Sequence, residues 1–214
     1  GAALAVGDFD SSGHDDLAVG VPGDRVGGPV KSGAVNVIYG ADGGLTTADN
    51  KKWNSNTGGV PGDAAGDLRF GSALAAGELN GDGHFDLVVG VPGTNGGAGA
   101  IVVLNGSDAG VTSDAAKAFD QDSPWVWEGA EAGDEFGARL GVGNFDGLGL
   151  SWIAVGSPGE DLGAKVDAGA VHTLRGRLGG ITGADSALWA RWTPGIPGKL
   201  QTEAWFGAIG RAGA

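Results

Sequence analysis

Residues Gly77 to Gly93 read GELNGDGHFDLVVGVPG: oxygen-bearing side chains set among glycines, followed at once by an apolar run that closes on Val-Pro-Gly. Gly7 to Gly23 repeats the pattern as GDFDSSGHDDLAVGVPG, and Gly143 to Gly159 keeps only part of it, as GNFDGLGLSWIAVGSPG. Gly20, Gly90 and Gly156 therefore recur at intervals of 70 and 66 residues. A period of that size is a supersecondary unit, larger than a hairpin.

Working outward, the second and third copies are preceded by DLRFGSALAAG (Asp67 to Gly77) and DEFGARLGVG (Asp134 to Gly143), which share a Phe-Gly and a short alternating segment. All three are followed by a Gly-Ala entry and an alternating run, SGAVNVIYG, GAGAIVVLNG and AGAVHTLRG. Each unit thus offers a strand after the Phe-Gly, one at the Leu-x-Val-Gly run, one after the Gly-Ala, and an outer one beyond it. Four short strands per unit are the content of a propeller blade, so the expected class is all-β, a β-propeller of four-stranded antiparallel blades. The 46 glycines and the lack of long helical periodicity agree with it.

The Phe-Gly, the acidic loop and the Gly-x-Pro together resemble the FG-GAP repeat of integrin alpha-chain propellers and of secreted bacterial proteins. The resemblance covers nearly the whole chain: repeats over 1–65 (starting inside the repeat), 66–132 and 133–202, with 203–214 as the start of a fourth repeat or a closing strand. It implies an extracellular, secreted protein. The same propeller serves adhesion, binding and enzyme accessory roles, so it does not fix a function.

The acidic half of each copy has its own logic. In ELNGDGHFD the oxygens fall at positions one, three and five, with Gly at six, a main-chain carbonyl available at seven and Asp at nine. Alternate spacing turns successive side chains toward one centre, and six or more oxygens at about 2.3–2.6 Å suit Ca²⁺. The expected ligands are Glu78, Asn80, Asp82, Asp86 and the His84 carbonyl in the second loop, and Asp8, Asp10, Ser12, Asp16 and the His14 carbonyl in the first. An EF-hand is excluded, because position twelve is Val19 or Val89 in place of a bidentate Glu. The third copy places Asn144, Asp146, Leu148, Leu150 and Trp152 at the same five positions, and no ion is expected there. Two Ca²⁺ sites are the result.

The formal charge of −13 and a pI near 4.4 argue against a nucleic-acid partner, which needs clustered Lys and Arg. No apolar run approaches the ~20 residues of a membrane span. Cysteine is absent, and neither an initiator Met nor a signal peptide is present, so the chain reads as a mature or excised piece.

His14 and His84 share the loop phase at which only the carbonyl is wanted, so their rings are expected to face solvent. His172 lies in an expected strand with no matching Ser or Asp motif. No Gly-x-Ser-x-Gly elbow, His-Glu-x-x-His helix or phosphate loop occurs, which favours a binding module over an enzyme. Among the seven tryptophans, Trp53 and Trp189 share a phase with Phe119, 17 residues before Phe70, Phe206 and Phe136, and read as blade packing. Trp125 and Trp127 stand opposite Gly59 and Gly195, and Pro61 and Pro197, in the other repeats, so the repeat does not require them. They are the expected contacts for a protein or carbohydrate ligand. Trp152 is expected to cap the third loop. Three repeats fall short of the four to eight blades of a propeller, so further blades from the same precursor or from another chain are expected partners. The expected function is a calcium-binding, non-enzymatic binding or adhesion module; the alternative is an accessory or catalytic part of a secreted hydrolase, associated with a phospholipase or protease.

Overall fold

The structure, a computed structural model, describes residues 1–27, 31–63 and 65–208. The first sheet has the order β1 (Ala3–Gly7), β2 (Asp16–Val21), β3 (Ala34–Ile38), β6 (Lys51–Trp53), with a small ribbon of β4 (Gly40–Ala41) and β5 (Gly44–Leu45) beside it. The second runs β7 (Leu74–Gly77), β8 (Asp86–Val91), β9 (Ala100–Asn105), β10 (Thr112–Phe119), and a single turn, α1 (Thr94–Gly97), links β8 to β9. The third runs β11 (Arg139–Gly143), β12 (Trp152–Ser157), β13 (Ala170–Arg175), β14 (Ala187–Trp189). Every pairing within these sheets is antiparallel, so the chain is all-β and built of four-stranded blades. The blades succeed one another through their first strands, β1 against β7 and β7 against β11, and describe an arc.

Burial follows position in that arc. β2 alternates buried and half-buried residues, as a strand covered on one face does, whereas β8 is buried at all six positions. The middle blade has a neighbour on each side. One core packs between the first and second blades around Phe9, Phe70, Leu87 and Leu104, and another between the second and third around Leu79, Ile101, Phe136 and Ile153. Burying each of these side chains contributes about 1.5–3 kcal/mol.

The Phe-Gly pairs are the joints of this packing. Phe70 N–H donates to the Ser32 carbonyl (3.0 Å), and Phe136 N–H to that of Ala98 (2.9 Å), so each phenylalanine bridges in parallel to the glycine that opens the preceding blade's third strand, Gly33 or Gly99. Gly33 has φ +84°, and a Cβ on it would lie 2.4 Å from Phe70 N, so only glycine fits. The following glycine spans both blades. Gly71 N–H donates to Gly90 O (3.0 Å) in the second blade, while Gly71 O lies where a Cβ on Gly20 of the first would stand. Residues 203–208 form no strand and repeat this clasp on the third blade, with Phe206 N–H donating to Ala168 O (3.0 Å). The remainder of the 203–214 segment, 209–214, lies outside the described residues.

Candidate metal centre

Each acidic loop is the hairpin turn between a blade's first and second strands. In the first, the short chain of Asp8 lets its carboxylate fold back over the turn, where Oδ1 accepts from Ser12 N (3.0 Å) and Oδ2 from Gly13 N (2.9 Å). Asp10 Oδ1 accepts from Ser12 N as well (3.0 Å), and Ser12 Oγ from His14 N (3.4 Å). Asp16 opens β2 and is buried; its Oδ2 accepts from Phe9 N (2.8 Å) and its Oδ1 from Gly40 N (2.8 Å). One oxygen from each of Asp8, Asp10 and Asp16 lies within 4.8 Å of the others, and no other such acidic or histidine trio occurs among the described residues.

The second loop has the same skeleton. Glu78 reaches back to Asn80 N (3.1 Å) and Gly81 N (2.7 Å) through Oε1 and to Gly83 N (2.6 Å) through Oε2. Asp86 Oδ2 accepts from Leu79 N (3.1 Å) and Oδ1 from Gly106 N (3.0 Å). Asn80 presents its amide nitrogen to Asp82 Oδ2 (2.9 Å) and Asp86 Oδ1 (3.3 Å), while its Oδ1 accepts from Asp82 N (2.8 Å). The amide NH2 thus bridges these two carboxylates, and turning the amide over would present its oxygen on that side instead.

Position nine carries more than the spacing suggested: in both loops its two oxygens tie the turn to the residue after position one and to the end of the blade's third strand. Burial raises the Asp16 carboxyl above its ordinary value, against the backbone bonds from Gly40 and Phe9, with Asp10 and Asp8 adding repulsion. Asp86 is pushed up to about 7, chiefly by burial, with Asp82 and Glu78 contributing. In both the charged form is disfavoured unless a positive charge joins it.

The third loop contains such a charge within the protein. Position nine is Trp152, so Gly176 N–H turns instead to Ser151 O (3.0 Å). Arg175 places Nη2 2.7 Å from Asp146 Oδ2, with its guanidinium carbon 5.4 Å from the Trp152 ring centroid. The Leu148 N–H and the Arg175 guanidinium hold the Asp146 carboxyl below its usual range. Sequence reading missed Arg175. Its signal was its phase, one residue before Gly176, where Tyr39 precedes Gly40 and Asn105 precedes Gly106.

Of the two loop histidines, one departs from expectation. His84 is not solvent-facing: its side chain is 16% exposed and lies between Asp108 (Nε2–Oδ1 3.0 Å) and Asp82 (Nδ1–Oδ1 3.4 Å). His14 is more open and pairs with Asp42 (3.2 Å), the residue in the phase of Asp108. The third blade replaces both partners, with Leu150 and Leu178 in those phases. His172 is fully buried, edge-on to Phe136 and 4.0 Å from Glu160, whose carboxylate accepts from Gln121 Nε2.

Trp53 and Phe119 are buried in the cores, but Trp189 is half-exposed and fastened by Nε1 to Thr173 Oγ1 (3.1 Å). Trp125 and Trp127 are 77% and 60% exposed. They flank a shallow depression with Gly183, Asp185 and Ser186, where Trp127 Nε1 donates to Ser186 O (3.1 Å) and Ser186 Oγ to Trp125 O.

The family profile "FG-GAP repeat" matches residues 70–104, from the Phe-Gly through the second loop to the third strand. The chain is 39% identical over 114 residues to phosphatidylinositol-glycan-specific phospholipase D of Rattus norvegicus, an alignment covering 51% of this chain and 13% of that protein. It is 32% identical over 169 residues to integrin alpha-PS2 of Drosophila melanogaster (75% of this chain, 12% of that protein). It is 26% identical over 223 residues to integrin alpha-5 of Xenopus laevis (100% of this chain, 18% of that protein). The chain therefore spans less than a fifth of the length of these relatives. With the repeat's motifs in three successive blades and an alignment to integrin alpha chains over its length, the chain is an FG-GAP repeat, integrin-alpha-like protein.

Proposed function

We propose that the chain is a calcium-braced, non-enzymatic binding module that works outside the cell. The observation that carries the reading is the convergence of Asp8, Asp10 and Asp16. Ca²⁺ at the first loop, with Ser12 and the His14 carbonyl completing the oxygen set, would hold the turn that delivers β2. In the second loop Glu78, Asn80, Asp82, Asp86 and the His84 carbonyl would do the same for β8 once the Asn80 amide presents its oxygen. In the third, Arg175 already neutralises Asp146, so that loop takes no ion. The exposed indoles of Trp125 and Trp127 are the proposed contact for a protein or glycan, since the repeat does not need them for packing. Millimolar extracellular calcium would fill sites of this kind.

The test is calcium titration of chelator-treated protein by calorimetry and thermal unfolding. At a hundredfold excess over Kd, binding adds about 2.7 kcal/mol, or roughly 5–10 °C in Tm at this size. Asp10→Asn should weaken one site and leave the other. No heat and no rise in Tm would sink the proposal.

The second reading, an appendage to a secreted hydrolase, is favoured by the likeness to the phosphatidylinositol-glycan-specific phospholipases D. A catalytic domain encoded beside these repeats would support it.

A further inference from the structure

Tyr39, which precedes Gly40, is a buried ring between the first and second blades, in one core with Phe9, Val37 and Val111. Its hydroxyl accepts from Val111 N (3.0 Å). Gly110 leaves room for that hydroxyl, since a Cβ there would lie 2.1 Å from the oxygen. Lys51 fastens the same stretch of the second blade, with Nζ donating to Ala109 O (2.6 Å) and Val111 O (3.2 Å). Apolar walls, a glycine, a main-chain donor and a lysine clamp together make a seat for one phenol ring.

Between the second and third blades every part of this seat recurs except the ring. Leu79 and Val103 stand in the phases of Phe9 and Val37, Gly180 and Ile181 in those of Gly110 and Val111, and Lys117 in that of Lys51. The clamp is made again, with Lys117 Nζ donating to Ile181 O (3.0 Å). Tyr39 is replaced by Asn105, whose shorter side chain gives its amide to Asp114 O (2.8 Å). A cavity of about 300 Å³ lies there, lined by Leu79, Val103, Ile181, Lys117 and residues of the second acidic loop, and its exposed margin includes Asp82 and Gly179. Leu79, Val103 and Ile181 are all buried, so the wall they form is apolar. The Ile181 N–H, counterpart of the donor to Tyr39, has no acceptor among the described residues. A buried main-chain donor of this kind is costly until an oxygen meets it.

We propose that the cavity between the second and third blades binds a phenol, an aromatic ring bearing a hydroxyl, in the seat that the Tyr39 ring occupies one blade earlier. The ring packs against Leu79, Val103 and Ile181, and its oxygen accepts from the Ile181 N–H. The repeat itself supplies the evidence of fit, because the same scaffold holds such a ring between the first and second blades. The volume stands at the lower end of small-molecule sites, as a single-ring ligand requires. The site is separate from the exposed indoles of Trp125 and Trp127, and it does not rest on a cation in the loop. The ring can come from a free phenol or from a tyrosine on a peptide, since the group recognised is the same.

The test is an amide-resolved NMR titration of the full chain with p-cresol, the tyrosine side chain in isolation. The Gly180 and Ile181 amides should shift saturably, with a dissociation constant on the order of 1 mM, within reach of a ligand of this size. Toluene, which lacks the hydroxyl, should bind about fivefold more weakly, the worth of one hydrogen bond. Asn105→Tyr puts the chain's own ring in the seat and should abolish the p-cresol shifts. Tyr39→Asn opens the equivalent seat and should add a second saturable set at Gly110 and Val111, so the wild-type titration and either variant suffice if the other does not fold. N-acetyltyrosinamide separates the two sources: affinity equal to that of p-cresol assigns the seat to a tyrosine of a peptide, and loss of binding with this larger probe assigns it to a free phenol. No saturable shift at Ile181 with p-cresol, toluene binding as tightly as p-cresol, or p-cresol binding undiminished in Asn105→Tyr would each overturn the proposal.

Discussion

Gly90→Ala isolates the reason that Phe-Gly and Gly-x-Pro occur together. Gly90 lies in the middle blade, and a Cβ there would stand 2.1 Å from Gly137 O and 3.2 Å from the Ala73 Cβ. The obstacle is backbone, held from the other side by the Gly137 N–H bond to Gly156 O (3.2 Å), so it cannot swing away as a side-chain end would. Restoring van der Waals distance means parting the second and third blades by about 1 Å at the joint, and forced repacking of that kind costs about 1–3 kcal/mol or more. At 214 residues each kcal/mol is about 2–4 °C, so the Tm should fall by roughly 2–12 °C. Gly23→Ala is the control, since a Cβ at Gly23 meets nothing within 4 Å and should leave Tm within about 1 °C. The assay is calorimetric unfolding of both variants in the same calcium buffer. A Gly90→Ala protein as stable as wild type would refute the joint.

Glu160 sets a pH dependence. Burial, with the charge of Asp134 next, pushes its carboxyl up to about 8. Between its ordinary value and 8 the unfolded chain has lost this proton while the folded chain keeps it, so stability falls as pH rises, by at most about 1.4 kcal/mol per unit. Asp134, raised to about 6, acts in the same direction at lower pH, and His172, lowered to about 4 by burial, costs stability as pH falls from 6.5 toward 4. Asp86, pushed up to about 7, adds to the same fall below that value, so the window from 7 to 8 is the cleaner one for Glu160; Glu160→Gln should show a shallower fall of Tm there than wild type, and equal slopes would count against the assignment. Arg175→Met should cost about 1 kcal/mol or less, the worth of a surface pair with a ring beneath it. Added calcium should not restore that loss in thermal unfolding, and a Tm recovered by calcium would contradict the guanidinium's role at Asp146.

The strands were legible because their signal is local. Alternation between glycine-bounded ends placed three strands in every blade; the fourth, expected only as an outer strand beyond the third, closes at Trp53, Phe119 and Trp189, residues whose shared phase reads as packing. The convergence of Asp8, Asp10 and Asp16 was legible as residue types at fixed spacing. What stayed hidden depends on residues brought together from other turns or from the neighbouring blade. Phe145 reads like Phe9 in its own copy and differs because no described residue covers it as the second blade covers Phe9, and Trp189 is half-exposed in the same blade. His84 is drawn from solvent by Asp108, which lies in the next turn of the chain. The acids Asp134 and Glu160 reach burial together with Gln121 through contacts between the second and third blades, where the first and second blades use Leu68, Thr94 and Ser55 in the same phases.

The Phe-Gly clasp has a consequence for how such a chain can be cut and shuffled. Each blade is fastened by a phenylalanine and a glycine that stand at the head of the following sequence repeat, as Phe70 and Gly71 fasten the first blade and Phe136 and Gly137 the second. The unit of sequence and the unit of folding are thus out of step by a few residues. Recombination just upstream of a Phe-Gly would carry off a blade without its fastening, whereas a junction placed just after Gly71 or Gly137 would transfer one whole. Gene duplications that built and lengthened arrays of this repeat would be tolerated at the second kind of junction and selected against at the first.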